Sequence, residues 1–196
     1  GRTGYLLPLD VSLEMRLTDL IGVDKQLDQL GRNTKQFLDG LPANHALLWG
    51  SRGTGKSSLI RALLAEYAGA GLRLIEIERD HLADLPRVVE QLQGLAQRFV
   101  LFCDDLSFES GESDYRVLKS VLDGSLEQAP DNVLLYATSN RRHLVPEKES
   151  DNENWKNVDG ELHPNEAVED KIALSDRFGL WLSFYPFTQE HYLSVV

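Results

Sequence analysis

Short apolar runs alternate with longer amphipathic stretches along most of this chain. After residues 1–17, a lead-in without a clear period, Val23, Leu27, Leu30, Phe37 and Leu38 recur at helical spacing as far as Gly40, with Asp24 placed to cap that helix. Leu41-Pro42-Ala43-Asn44 makes a loop, and Ala46-Leu47-Leu48-Trp49 reads as a buried strand. A helix rich in Leu, Ala and Arg follows over 58–68. The alternation continues with strands predicted at 72–77, 99–103 and 133–138, and helices at 82–96 and 115–126. Strand and helix alternating at these lengths imply an α/β fold, with right-handed crossovers and a parallel sheet covered on both faces.

The pattern breaks over 147–165. Glu149-Ser150-Asp151-Asn152-Glu153-Asn154 is polar and acidic, followed by Trp155, Gly160 and Pro164, and the segment reads as a long exposed loop or insertion. An aromatic in a polar loop suits partner docking, although such loops are more often simply solvated. Trp49 and Trp181, in predicted strands, are expected in the core. Beyond the insertion a helix is predicted over 167–174, an edge strand over 180–184 and the start of another helix at Thr188. No internal repeat is evident.

A chain of 196 residues with 42% hydrophobic content has room for one α/β domain with a sizeable core. The formal charge of −11 is uneven, since 147–171 holds nine acidic side chains against three lysines. That balance argues against broad non-specific DNA binding, which needs Lys and Arg contacts to phosphates. One cysteine, Cys103, excludes an internal disulfide framework and fits a reducing cytoplasm. The five histidines lack metal-ligand spacing, and no run has the length of a membrane span.

The chemistry concentrates in Gly50-Ser51-Arg52-Gly53-Thr54-Gly55-Lys56-Ser57, which fits the phosphate-binding loop pattern and lies between a strand and a helix as that loop must. The glycines let the backbone curl so that its N–H groups face an anion. The following helix, opened by Ser58, adds its unsatisfied N–H groups and the positive end of its dipole. Lys56 would reach the β- and γ-phosphates, and the Ser57 hydroxyl would ligate Mg²⁺.

Two further strands end in polar residues. Phe99-Val100-Leu101-Phe102-Cys103 runs into Asp104, suited to holding Mg²⁺, and Asp105, suited to orienting and deprotonating an attacking water. Leu134-Leu135-Tyr136-Ala137-Thr138-Ser139 ends at Asn140, whose amide would hold the same water, contact the γ-phosphate or cap a helix. Parallel sheets bind ligands beyond the carboxyl ends of their strands, where Gly50, Asp104 and Asn140 all fall.

Taken in order, these segments resemble an AAA+ P-loop ATPase over residues 18–193. Thr18-Asp19-Leu20-Ile21-Gly22-Val23-Asp24 is similar to the segment lining the adenine pocket, with Ile21 and Gly22 at its centre. Gly50 to Ser57 resembles Walker A, Leu101 to Asp105 Walker B, and Ala137 to Asn140 sensor 1. Ser175-Asp176-Arg177-Phe178-Gly179 resembles the stretch carrying the arginine finger. The wording around the loop and from Leu174 to Phe187 is most similar to a bacterial AAA+ group known as a domain of unknown function, number 815.

The resemblance implies a three-layer sandwich on a parallel five-stranded sheet, spanning residues 18–187, with the start of a helical lid at 188–196. It implies ATP and Mg²⁺ as ligands, hydrolysis as the reaction, and a cytoplasmic homo-oligomeric ring in which Arg177 acts on a neighbour's γ-phosphate. An ion pair with Asp176 is the plainer role for Arg177, and Arg141 and Arg142 are rival cations. Two departures stand out. The family mostly carries Glu where this chain has Asp105, which draws the base back by about 1.5 Å. Most of the lid, with its sensor 2 arginine, has no counterpart before Val196. A non-hydrolysing ATP-binding switch or scaffold is therefore the alternative. The lack of an Asn-Lys-x-Asp motif disfavours GTP, and Asn140 with Arg177 disfavours a small-molecule kinase. Nothing in the sequence names a client, protein or nucleic acid.

Overall fold

The computed structural model describes residues 15–107, 114–122, 130–142, 144, 155–158, 161–164 and 174–186. Strands β1 (Ala46–Gly50), β2 (Leu72–Glu76), β3 (Arg98–Cys103), β4 (Val133–Ser139) and β7 (Leu180–Phe184) form one sheet in the order β2-β3-β4-β1-β7. Every pairing in it is parallel.

Alternation along each strand sends side chains to two cores. Leu47, Leu101, Leu135 and Ala137 face helices α3 (Leu85–Leu92) and α4 (Asp114–Leu122). Leu48, Phe102, Tyr136 and Phe184 face α1 (Asp24–Leu38) and α2 (Lys56–Tyr67). The result is the expected three-layer α/β sandwich, with β7 at the predicted edge. The predicted helices at 167–174 and from Thr188 lie outside the described residues, apart from Leu174.

Several local expectations shift. Val23 occupies the cap position of α1 and Asp24 is its first residue, so the aspartate stabilises the first turn by charge rather than as the cap. The helix predicted over 82–96 is instead a 3₁₀ segment, Arg79–Asp84, followed by the short α3. Gly94 at φ 78° turns the chain away, and Asn132 Nδ2 donates to the carbonyls of Leu92 and Leu95 at 2.9 and 3.1 Å, fastening the helix end. The acidic insertion, read as loop, contains an antiparallel hairpin of β5 (Trp155–Val158) and β6 (Glu161–Pro164), which among the described residues pair only with each other. The signal was present: Asp159-Gly160, the two residues between these strands, is a favoured tight-hairpin sequence. Trp49 and Trp181 are half-buried rather than core; Trp181 packs against one core and donates to the Ser175 carbonyl at 3.1 Å.

Buried polar groups fix how α1 and the chain before β1 meet the sheet. The Tyr136 hydroxyl sits 2.9 Å from Thr34 Oγ1 and accepts from Asn33 Nδ2 at 3.1 Å, while Asn33 also bonds the backbone of Asn44 in both directions. One residue on, His45 Nδ1 accepts the Leu135 N–H at 2.9 Å, which requires an unprotonated nitrogen. Among the described residues no helix is long and apolar enough to cross a membrane.

Burial lowers the His45 pKa from 6.5 to about 4. The unfolded chain therefore takes a proton first as pH falls. The stability this group contributes is complete above pH 6.5, declines through the interval and is lost below about 4. Urea unfolding near pH 7.5 and near pH 5 should show the wild type losing about 2 kcal/mol more than His45→Asn, whose side-chain oxygen accepts without titrating. Equal losses in the two proteins would contradict this account of His45.

Candidate functional site

The loop after β1 owes its course to glycine. Gly50 has φ 138°, and a Cβ there would sit 1.9 Å from the Phe184 carbonyl oxygen on β7, so only glycine lets the loop leave the sheet at this point. Gly55, in the left-handed region at φ 92°, caps α2 and turns the chain into it. Between them Thr54 Oγ1 bonds the Ser51 carbonyl at 2.8 Å. Ser58 lies in the first turn of α2, which also brings Lys56 and Ser57 to the loop.

Lys56 is buried, and its ammonium donates to the carbonyls of Gly50 and Ser51 at 2.7 Å each and to Asn140 Oδ1 at 3.4 Å. Burial lowers its pKa, the charges of Asp105 and Asp104 raise it, and Arg52 lowers it again. Ser57 Oγ donates to Asp104 Oδ1 at 2.7 Å. Asp104 Oδ1 also accepts from Thr138 Oγ1, and the Asp105 N–H donates to the same Thr138 hydroxyl oxygen at 2.9 Å. Asp105 Oδ2 accepts from Arg52 Nη2 at 2.8 Å, and Asp105 Oδ1 accepts from Asn140 Nδ2.

The sheet order explains this convergence. β4 lies between β1 and β3, so Asn140 at its tip sits between Lys56 and Asp105 and bonds both. Ser57 and Asp104 bring two hard oxygens together, a pair that could hold a divalent cation. One hydroxyl and one carboxylate suit Mg²⁺, which keeps several waters and takes its remaining ligands from phosphate. Among the described residues no group of three or more His, Cys, Asp or Glu could hold a metal alone.

Not every expected residue joins this cluster. Ile21 and Gly22 are exposed beside Val23, whose Cγ1 lies 4.0 Å from where a Gly55 Cβ would be. Arg177 lies at the opposite end of the sheet, before β7, and is exposed. Ala46 pairs with Leu180 while Gly50 pairs with Phe184, so the strand alone separates Arg177 from the loop by roughly 13 Å at about 3.3 Å per residue. Arg142 lies over the Trp49 ring, 5.6 Å from its centroid, and Trp49 meets the exposed Tyr185 edge-on. Thr138 was not singled out from the sequence, although it binds both aspartates. Its signal was a hydroxyl in an apolar run, on the face of β4 shared with Tyr136 and Asn140.

A family model described as "Protein of unknown function (DUF815)" matches residues 1–196. The chain belongs to that family. No curated protein matches it by sequence. Among solved structures it resembles the Thermotoga maritima RuvB Holliday junction branch migration motor, at 18% identity and TM-score 0.57, over 92% of this chain and 51% of that one. A single-residue mutant of that RuvB gives 17% identity and TM-score 0.61, over 92% and 52%. The Aeropyrum pernix ORC1 protein, solved in complex with DNA, gives 16% and TM-score 0.62, over 89% and 48%. The chain thus spans about half the length of these neighbours. They are AAA+ P-loop ATPases, and the fold of this DUF815 chain is theirs.

If Ser57 and Asp104 share a cation, removing the hydroxyl should affect only metal-assisted binding. Calorimetry should show Ser57→Ala weakening ATP binding about 10-fold or more with Mg²⁺, and less than about 3-fold in excess EDTA. Equal weakening with and without metal would remove Ser57 from the cation site.

Proposed function

We propose that this chain binds Mg·ATP at the loop of residues 50–57 and hydrolyses it as a subunit of an oligomeric ring, coupling turnover to conformational change. The observation that carries the reading is the Ser57–Asp104 hydrogen bond at 2.7 Å. It joins a metal-ligand pair to a cleft that also holds Lys56, Asp105 and Asn140.

In this reading the backbone of Gly50, Ser51, Arg52, Gly53, Thr54 and Gly55 cradles the phosphates, aided by the N-terminal N–H groups of α2 through Ser58. Ile21 and Gly22 border the base. Lys56 exchanges its carbonyl partners for β- and γ-phosphate oxygens. Ser57 and Asp104 would hold Mg²⁺, which when bound would supply positive charge beside the phosphates. Asp105 and Asn140 orient a water. Its oxygen bonds to the γ-phosphorus as the bond from that phosphorus to the bridging oxygen breaks, the electron pair leaving with ADP, and the water's proton passes to Asp105. Arg177 is too far along the sheet to serve its own site. Its exposure supports a role in trans, where a planar guanidinium would meet charge spread over the transferring phosphoryl group.

Turnover per subunit should climb steeply with protein concentration. Arg177→Ala should lower kcat by about 10³-fold with ATP affinity nearly unchanged. Mixing it with Asp105→Asn should restore part of the activity, because each variant supplies what the other lacks. Bound ATP with no turnover at any concentration would instead establish the switch, a reading that the shorter acid at 105 favours.

A further inference from the structure

Asp105 is held more elaborately than a strand-end carboxylate requires. Its backbone lies in the left-handed region at φ 51°, where the short polar Asp is tolerated better than longer side chains. Its N–H is fastened to Thr138 on β4. Its two carboxylate oxygens are taken by different donors, one by Asn140 at the tip of β4 and the other by Arg52 from the middle of the phosphate loop. The Arg52 and Asp105 side chains are 81% and 52% exposed, so their ion pair contributes little to folding stability. Its consequence is orientation. A carboxylate has about four acceptor sites, and two donors leave room for a water.

We infer that Arg52 is a positioning residue for Asp105: the guanidinium fixes a base that is one carbon short, so that the pair does what a longer acid does elsewhere. This rests on the hydrolytic reading of the same site. Because Arg52 belongs to the loop that cradles the phosphates, it also ties the position of the base to the position of the loop. Asp at 105 then follows from the geometry: the left-handed backbone disfavours Glu, and Arg52 reaches across from the loop to the shorter side chain.

The experiment compares the wild type with Arg52→Ala, Asp105→Glu and the double variant. Calorimetry gives the ratio of affinities for Mg·ADP with aluminium fluoride and for Mg·ADP alone, which reads the surroundings of the transferring phosphoryl group without requiring turnover. Arg52→Ala should lower this ratio about 10-fold when Asp stands at 105 and less than about 3-fold when Glu does. An equal drop in both backgrounds, no drop in either, or a loss confined to Mg·ADP affinity would overturn the assignment and leave Arg52 a phosphate-loop residue only. Mg·ATP turnover, measured in parallel, separates the two readings. An inactive wild type with the expected coupling retires hydrolysis and keeps the tether; an active one without coupling retires the tether and keeps hydrolysis.

Discussion

A carboxylate at the end of an apolar strand has to find donors, and the donors Asp104 finds organise this site. Its Oδ1 accepts from Ser57, in the first turn of α2, and from Thr138, on β4. Three elements, far apart in sequence, are thereby drawn to a single oxygen. Thr138 extends the arrangement by accepting the Asp105 N–H, so the second aspartate is placed by the partner of the first. The glycine loop, the Ser57–Asp104 pair and Asp105 hold their relative positions through this junction.

Charge in the cleft is balanced within it. Lys56 and Arg52 contribute two cations from the loop, Asp104 and Asp105 two anions from the end of β3. Burial pulls the Lys56 ammonium towards its neutral form, and the two carboxylates oppose that. Lys56 has partners a phosphate could replace, the carbonyl oxygens of Gly50 and Ser51, while Arg52 is paired with Asp105. A site built this way can admit a polyphosphate by exchanging hydrogen bonds rather than by exposing bare charge. The net charge of −11 over the whole chain therefore says little about the field inside the loop.

Parallel strands also impose a distance. With every pairing in the five-stranded sheet parallel, loops following its strands gather at one end and loops preceding them at the other. Gly50, Asp104 and Asn140 share the first end, and Arg177 is consigned to the second. The proposed role for Arg177 in a neighbour's site follows from that separation, which makes assembly part of the proposed chemistry.

Much of this was legible in the residues themselves. Hydrophobic alternation located the five strands of the main sheet to within a residue or two, because strands buried on both faces must be apolar throughout. The course of the loop over 50–57 was legible because its glycines answer to local backbone geometry, which needs no knowledge of the rest of the chain. The helix over 82–96 was overextended because its end is set by Gly94 and by Asn132, a residue forty positions from Leu92. The hairpin at 155–164 was passed over because acidic composition masked a turn signal. What only the tertiary structure decided is who meets whom. β4 lies between β1 and β3, so Thr138 binds both aspartates and Asn140 reaches both Lys56 and Asp105, while Arg52 closes onto Asp105 from the opposing loop. Those contacts depend on strand order, and strand order is chosen by the packing of two helical layers on one sheet, which no local pattern records.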